Sequence, residues 1–125
     1  MALITTPEAT AIIGCATRVH SALGAGLFES VYEQCLAVEF GKAGLSFQRQ
    51  VTLPLRYEGL ELKRAFVADF IVEATVLVEI KSIERVLAVH SSQVLTYMRL
   101  AGLKKALLIN FNTPHLRDGI KSFVG

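Results

Sequence analysis

Thr75-Val76-Leu77-Val78-Glu79-Ile80-Lys81 reads as a strand that carries charge where a strand interior should carry none. Its β-branched and aliphatic residues suit a pleated, packed surface. Glu79 and Lys81 are two residues apart, so both project from one face. Unpaired charge among Val76, Leu77, Val78 and Ile80 is costly to bury. Either the two form a structural ion pair at a strand end, or they belong to a site that needs both.

Upstream, Glu73-Ala74 is a short link from a second strand, Leu60–Val72, in which Asp69 lies late. Asp69 and Glu79 are hard oxygen ligands of the kind that hold Mg²⁺ or Mn²⁺. Lys81 beside them would hold or help deprotonate a water and offset phosphate charge. Both acids sit late in adjacent antiparallel strands, so a bulge, bend or splay near Asp69 is expected to bring them level. Further out, Phe47, Val51, Leu53, Leu55 and Tyr57 alternate with Gln48, Gln50 and Thr52, the period of a half-buried strand. Pro54 within it marks an edge or a bulge, and Glu58-Gly59 is a turn.

Downstream, a helix is expected over Val89–Ala101, stopped by Gly102. On it Gln93 and Tyr97, four apart, project together and could meet phosphate oxygens or a base edge. His90 at its start reads as a surface or capping residue. The Ala106–Phe111 run is almost continuously apolar, as in a strand covered on both faces, and His115–Val124 suits a last helix.

Two helices precede the strands. Thr6-Pro7-Glu8 is an N-terminal cap with proline in the first turn, and Ile12, Ile13, Ala16, Val19 and Leu23 follow at helical spacing until Gly24 and Gly26. The second runs from Phe28 to Ala43 with Val31, Cys35, Leu36 and Val38 inward, and Gly44 ends it. Glu29 and Tyr32 share one of its faces, with Glu33 beside them; Glu29 could add a third carboxylate to the pair on the strands. The order α-α-β-β-β-α-β describes an α/β chain around a mixed central sheet.

Composition agrees with one folded unit. The 125 residues are 52% hydrophobic and 19% charged, unlike the apolar-poor, charge-rich make-up of disorder. No apolar run approaches the roughly 20 residues a bilayer crossing takes. Met1–Thr10 lacks a basic stretch before an apolar core, so a cytoplasmic location is expected. Cys15 and Cys35 sit among apolar helical neighbours and read as buried free thiols. The net charge of +2 does not announce nucleic-acid binding. The pairs Lys63/Arg64, Lys104/Lys105 and Arg117/Lys121 are solvated charge unless they converge on a phosphate track. No phosphate-cradling glycine loop or nucleophile elbow is present.

Gly26-Leu27-Phe28-Glu29-Ser30-Val31-Tyr32 resembles the signature of the GxxExxY proteins, which are assigned to the PD-(D/E)xK nuclease superfamily. The resemblance runs from His20–Gly26 through Gln93–Tyr97 to the Leu107–Phe111 strand. It implies a restriction-endonuclease-like αβββαβ core with an extra N-terminal helix, in one domain over residues 1–125. Asp69 then matches the superfamily's first acid, although Ala68 stands where the superfamily name has proline. Glu79 and Lys81 match the E-x-K, and Glu29 the helix acid that completes the metal site. Gln93 and Tyr97 resemble the Q-x-x-x-Y element of RecB-like exonucleases.

The implied function is metal-dependent hydrolysis of phosphodiester bonds, in DNA, by Mg²⁺-assisted attack of water. Glu29, Asp69, Glu79 and the Ile80 carbonyl would bind Mg²⁺ or Mn²⁺. Lys81 would orient the nucleophile, and Gln93, Tyr97 and Tyr32 would touch substrate. The alternative is a non-catalytic nucleic-acid-binding or assembly module that keeps the fold. So small a chain suggests a homodimer on DNA, touching through Phe47, Val51 and Leu53 or through Ile120 and Phe123.

Overall fold

The computed structural model describes residues 6–125. Helix α1 (Pro7–Leu23) starts where the sequence predicts: the Thr6 hydroxyl accepts the Ala9 N–H at 3.3 Å. Ala9, Ile12, Ala16 and Val19 form its buried stripe, with Cys15 beside them. Helix α2 (Glu29–Lys42) buries Tyr32, Leu36 and Phe40, one every four residues. Val38, expected inside, is 60% exposed. Two residues from Leu36 is more than half a turn, so the two cannot share a face. Cys15 is buried and Cys35 half-buried; both are free thiols.

Five strands follow: β1 (Phe47–Tyr57), β2 (Leu60–Val72), β3 (Val76–Lys81), β4 (Lys105–Asn110) and β5 (Ile120–Val124), with helix α3 (Ala88–Leu100) between β3 and β4. They form one mixed sheet in chain order. β1–β2, β2–β3 and β4–β5 are antiparallel; β3 and β4 are parallel, joined by the α3 crossover. The expected final helix is instead a short 3₁₀ turn, Leu116–Gly119, leading into β5. The reason is tertiary. Buried β4 would otherwise carry an open edge of unpaired backbone groups, and Lys105 to Ile109 pair instead with Val124 to Ile120.

Helices α1 and α2 cover one face of the sheet, where Ile12, Leu36 and Phe40 pack with Phe70, Val78, Leu107 and Ile109. Helix α3 covers the other, where Val94 and Met98 pack with Leu53, Leu77 and Leu108. Leu53 and Ile120 are only 3% and 7% exposed, so neither is free for the dimer contact expected of it. Exposed apolar residues lie elsewhere, among them Phe28, Val124 and, on the β1–β2 hairpin, Tyr57, Leu60 and Leu62.

Pro54 lies both on an edge strand and at a register shift between Leu53 and Leu55. A second irregularity matters more. Phe47 and Phe70 pack on the α1–α2 side, whereas Val51 and Ala68, of the same parity, pack on the α3 side. Both strands therefore change face between these positions, at Gln50 and Asp69. Gln50 has φ +49°, and the two residues are left unpaired between Arg49–Phe70 and Val51–Ala68.

Candidate active site

Asp69 and Glu79 are brought together where the β2–β3 ladder ends. The β2–β3 ladder pairs Val72 with Val76, Ile71 with Leu77 and Phe70 with Val78; the next position sets Asp69 opposite Glu79. The regular pairing ends at Phe70–Val78, and the change of face at Asp69 is the local irregularity expected from the sequence. The backbone ladder stops there and the carboxylates take over its donors. The Asp69 N–H donates to the Glu79 carboxylate at 2.8 Å, and the Ile80 N–H donates to the Asp69 carboxylate at 2.8 Å.

The electrostatics follow from this burial. Desolvation pushes Asp69 up to about 6, against the hydrogen bonds from Ile80 and Gln50, and the charges of Glu33 and Glu29 add to the rise. Desolvation and then the Asp69 charge push Glu79 up to about 8, while the Asp69 N–H and the Lys81 charge pull it down. Two neighbouring acids, Glu79 buried and Asp69 half-buried, resist ionising together. Such a pair is relieved by a shared proton or by a cation, and its oxygen donors suit a hard divalent ion. Lys81 is half-buried on the Glu79 face, yet among the described residues it forms no ion pair. The structural Glu79–Lys81 pair is thus not formed.

The third carboxylate does not close a cage. Among the described residues no three His, Cys, Asp or Glu side chains are gathered to hold a metal ion. Glu29, exposed at the start of α2, accepts the Ser82 N–H at 3.2 Å instead. Its charge still acts on both Asp69 and Glu79. Three carboxylates repel one another, and Ser82 offers Glu29 a donor just beyond β3.

Tyr32 is corrected from a substrate contact to a support. It is fully buried, stacked on Phe111 with ring centroids 4.4 Å apart. Its hydroxyl donates to the Gly24 carbonyl at 2.6 Å and accepts the Leu27 N–H at 3.2 Å. The Ser82 hydroxyl donates to the Leu27 carbonyl. The Gly26–Tyr32 string therefore ties the loop before Glu29 to the end of β3. Gly24 and Gly26, at φ +72° and +95°, make that loop's left-handed turns. Tyr32→Phe should destabilise the fold by about 1–3 kcal/mol, because both loop groups lose a buried partner. Denaturant unfolding measures this; an unchanged midpoint would remove Tyr32 from the support.

Tyr97 does belong near the acids. It is half-buried, its ring centroid 5.0 Å from that of Phe66. Burial, and then the Glu79 and Asp69 charges, push its phenol up. Gln93, one turn earlier, is exposed. His90 is a cap, its Nδ1 accepting the Leu87 N–H at 2.9 Å, and His20 Nε2 contacts the Thr113 carbonyl at 2.8 Å. A cavity of about 460 Å³ between Phe47 and Leu103 is lined by none of these acids.

Three supports escape a reading by pattern. Asn110, inside the apolar β4 run, bonds both Ile83 backbone groups, at 3.1 and 3.0 Å, and shapes the segment after β3. Glu33, a lesser candidate beside Glu29, accepts from Arg49 at 2.7 Å and from the Gln50 amide at 2.6 Å. That amide also reaches Asp69 at 3.3 Å. Strand alternation predicts Gln50 on the solvent side, so no sequence signal marks it.

No curated protein and no solved structure matches the chain. The sequence model of the PD-(D/E)XK nuclease superfamily matches residues 6–123. That span holds Asp69 and the Glu79-x-Lys81 pair on adjacent strands, and runs from the cap of α1 into β5; the chain belongs to the PD-(D/E)XK nuclease superfamily.

Proposed function

We propose that the protein is a Mg²⁺- or Mn²⁺-dependent deoxyribonuclease, in line with the nuclease activity its superfamily implies. The observation that carries this is the Asp69–Glu79 pair, a half-buried and a buried acid bonded to each other's strands, with Lys81 on the Glu79 strand in no ion pair among the described residues. Asp69, Glu79 and the Ile80 carbonyl would hold the ion in this reading, and Glu29 would join them on leaving the Ser82 N–H. A bound divalent cation supplies Lewis-acid polarisation of the phosphate and a lower pKa for water. Lys81 orients the nucleophile and offsets charge on phosphorus oxygens. Tyr97 and Gln93 position the nucleic-acid backbone, with Tyr97 next to the acids. Gly26–Tyr32 supports a place among the GxxExxY proteins, and two free cysteines suit a reducing cytoplasm.

A panel of plasmid and oligonucleotide substrates, with Mg²⁺ or Mn²⁺ and with EDTA, tests the reading. Cleavage of DNA that EDTA abolishes is expected. Cation binding with no cleavage of any DNA would overturn it in favour of a non-catalytic module. The cationic pairs are spread over β2, β4 and the β5 end, so one copy offers few phosphate contacts, and a homodimer would double them. DNA affinity should fall steeply with salt. Light scattering that shows a monomer, together with salt-insensitive binding, would overturn the dimer.

A further inference from the structure

Gln50 is held in a conformation that its side chain makes costly. Its φ of +49° is one that residues with a Cβ adopt rarely and glycine adopts freely. Nothing in a simple edge strand calls for it. The conformation accompanies the change of face in β1, and the Gln50 amide nitrogen then reaches both Glu33 and Asp69, at 2.6 and 3.3 Å. Glu33 is fixed in turn by Arg49 at 2.7 Å, whose guanidinium lies over the Phe70 ring, 5.9 Å from its centroid. Asp69 thus has a donor on each flanking strand: Gln50 on β1 for one oxygen and the Ile80 N–H on β3 for the other.

We propose that Gln50 is a positioning residue for the cation site: its amide, anchored to α2 through Glu33, holds the Asp69 carboxylate in the orientation that a divalent cation requires. This rests on the cation reading above. The physical basis is that a carboxylate held by fixed donors meets an ion without reorganising, and partners that orient metal ligands matter almost as much as the ligands. The amide also lies between two acids, Glu33 and Asp69, and donates to both, so they can stand close without touching. A role confined to the backbone predicts something different, since glycine would then serve this position better than glutamine.

Gln50→Gly separates the two. It relieves the left-handed conformation and removes the side chain, the amide with it, from a residue that is exposed. Mn²⁺ alone is titrated by calorimetry into wild type and variant, and the thermal midpoint of each metal-free protein is recorded. The expected result is a midpoint unchanged or raised, with Mn²⁺ affinity lowered about 10–100-fold. If Gln50→Gly does not fold, Gln50→Asn is read the same way: asparagine tolerates the conformation but is one methylene too short to span Glu33 and Asp69. A folded variant that binds Mn²⁺ as tightly as wild type overturns the role of Gln50 and leaves the cation site standing. A wild type that takes up no Mn²⁺ overturns the cation reading itself, and this inference with it.

Discussion

Lys81→Ala should lower DNA cleavage by about 10²–10⁴-fold, the range for removing a group that acts on a proton in flight, and leave Mn²⁺ binding nearly intact. Asp69→Asn should weaken both. The contrast follows from position. Lys81 makes no ion pair among the described residues, so its loss orphans no carboxylate and the fold has little reason to change. Its proposed work is on water and phosphate. Asp69 is a proposed ligand, and its carboxylate also receives the Ile80 N–H and the Gln50 amide. Asparagine can still accept one of these bonds but brings no charge to the ion. Single-turnover cleavage paired with Mn²⁺ calorimetry checks the split. Unchanged cleavage by Lys81→Ala would remove the lysine from the mechanism.

The metal-free protein should lose stability as pH rises, and Glu79→Gln should abolish most of that loss. Glu79 stands at about 8 in the folded chain against an ordinary 4.5, and Asp69 at about 6 against 3.8. Between those limits the folded state keeps protons that the unfolded chain has released. Stability contributed by these groups is therefore full below about pH 4 and declines until pH passes 8. Most of the decline comes from Glu79, whose shift is the larger. Glutamine can still accept the Asp69 N–H without ionising, so the variant should be the more stable protein in alkaline EDTA while losing cation binding and cleavage. In wild type, Mn²⁺ replaces the proton and should stabilise most where the acids are ionised. Denaturant unfolding across about pH 5 to pH 9, with EDTA and then with Mn²⁺, measures all of this. A flat metal-free profile would mean that the two acids share no buried charge.

Much of the fold is local and was legible. The Thr6-Pro7 cap, the two helical stripes, the strand alternation around Pro54 and the apolar β4 run all express periods and caps that the chain carries in itself. The opposition of Asp69 and Glu79 was legible too, since a short link fixes register.

That link also marks where local information ends. Glu73 and Ala74 are both left-handed, at φ +53° and +55°, which neither residue favours. The turn is held from outside: Glu73 binds the Ser46 N–H and hydroxyl at 2.6 and 2.7 Å, and its own N–H donates to the Ser46 carbonyl at 2.8 Å.

The sequence by itself determined the order of elements as far as β4, the superfamily and the late strand positions of Asp69, Glu79 and Lys81, because these depend on spacing along one element or across one short link. Only the tertiary structure decided that the tail is a strand on the open β4 edge and that Tyr32 supports the loop rather than touching substrate. It alone turned Glu29 to Ser82 and Gln50 to Asp69. Each of these depends on what lies opposite a side chain in another element, and periodicity along one segment carries no information about its neighbours.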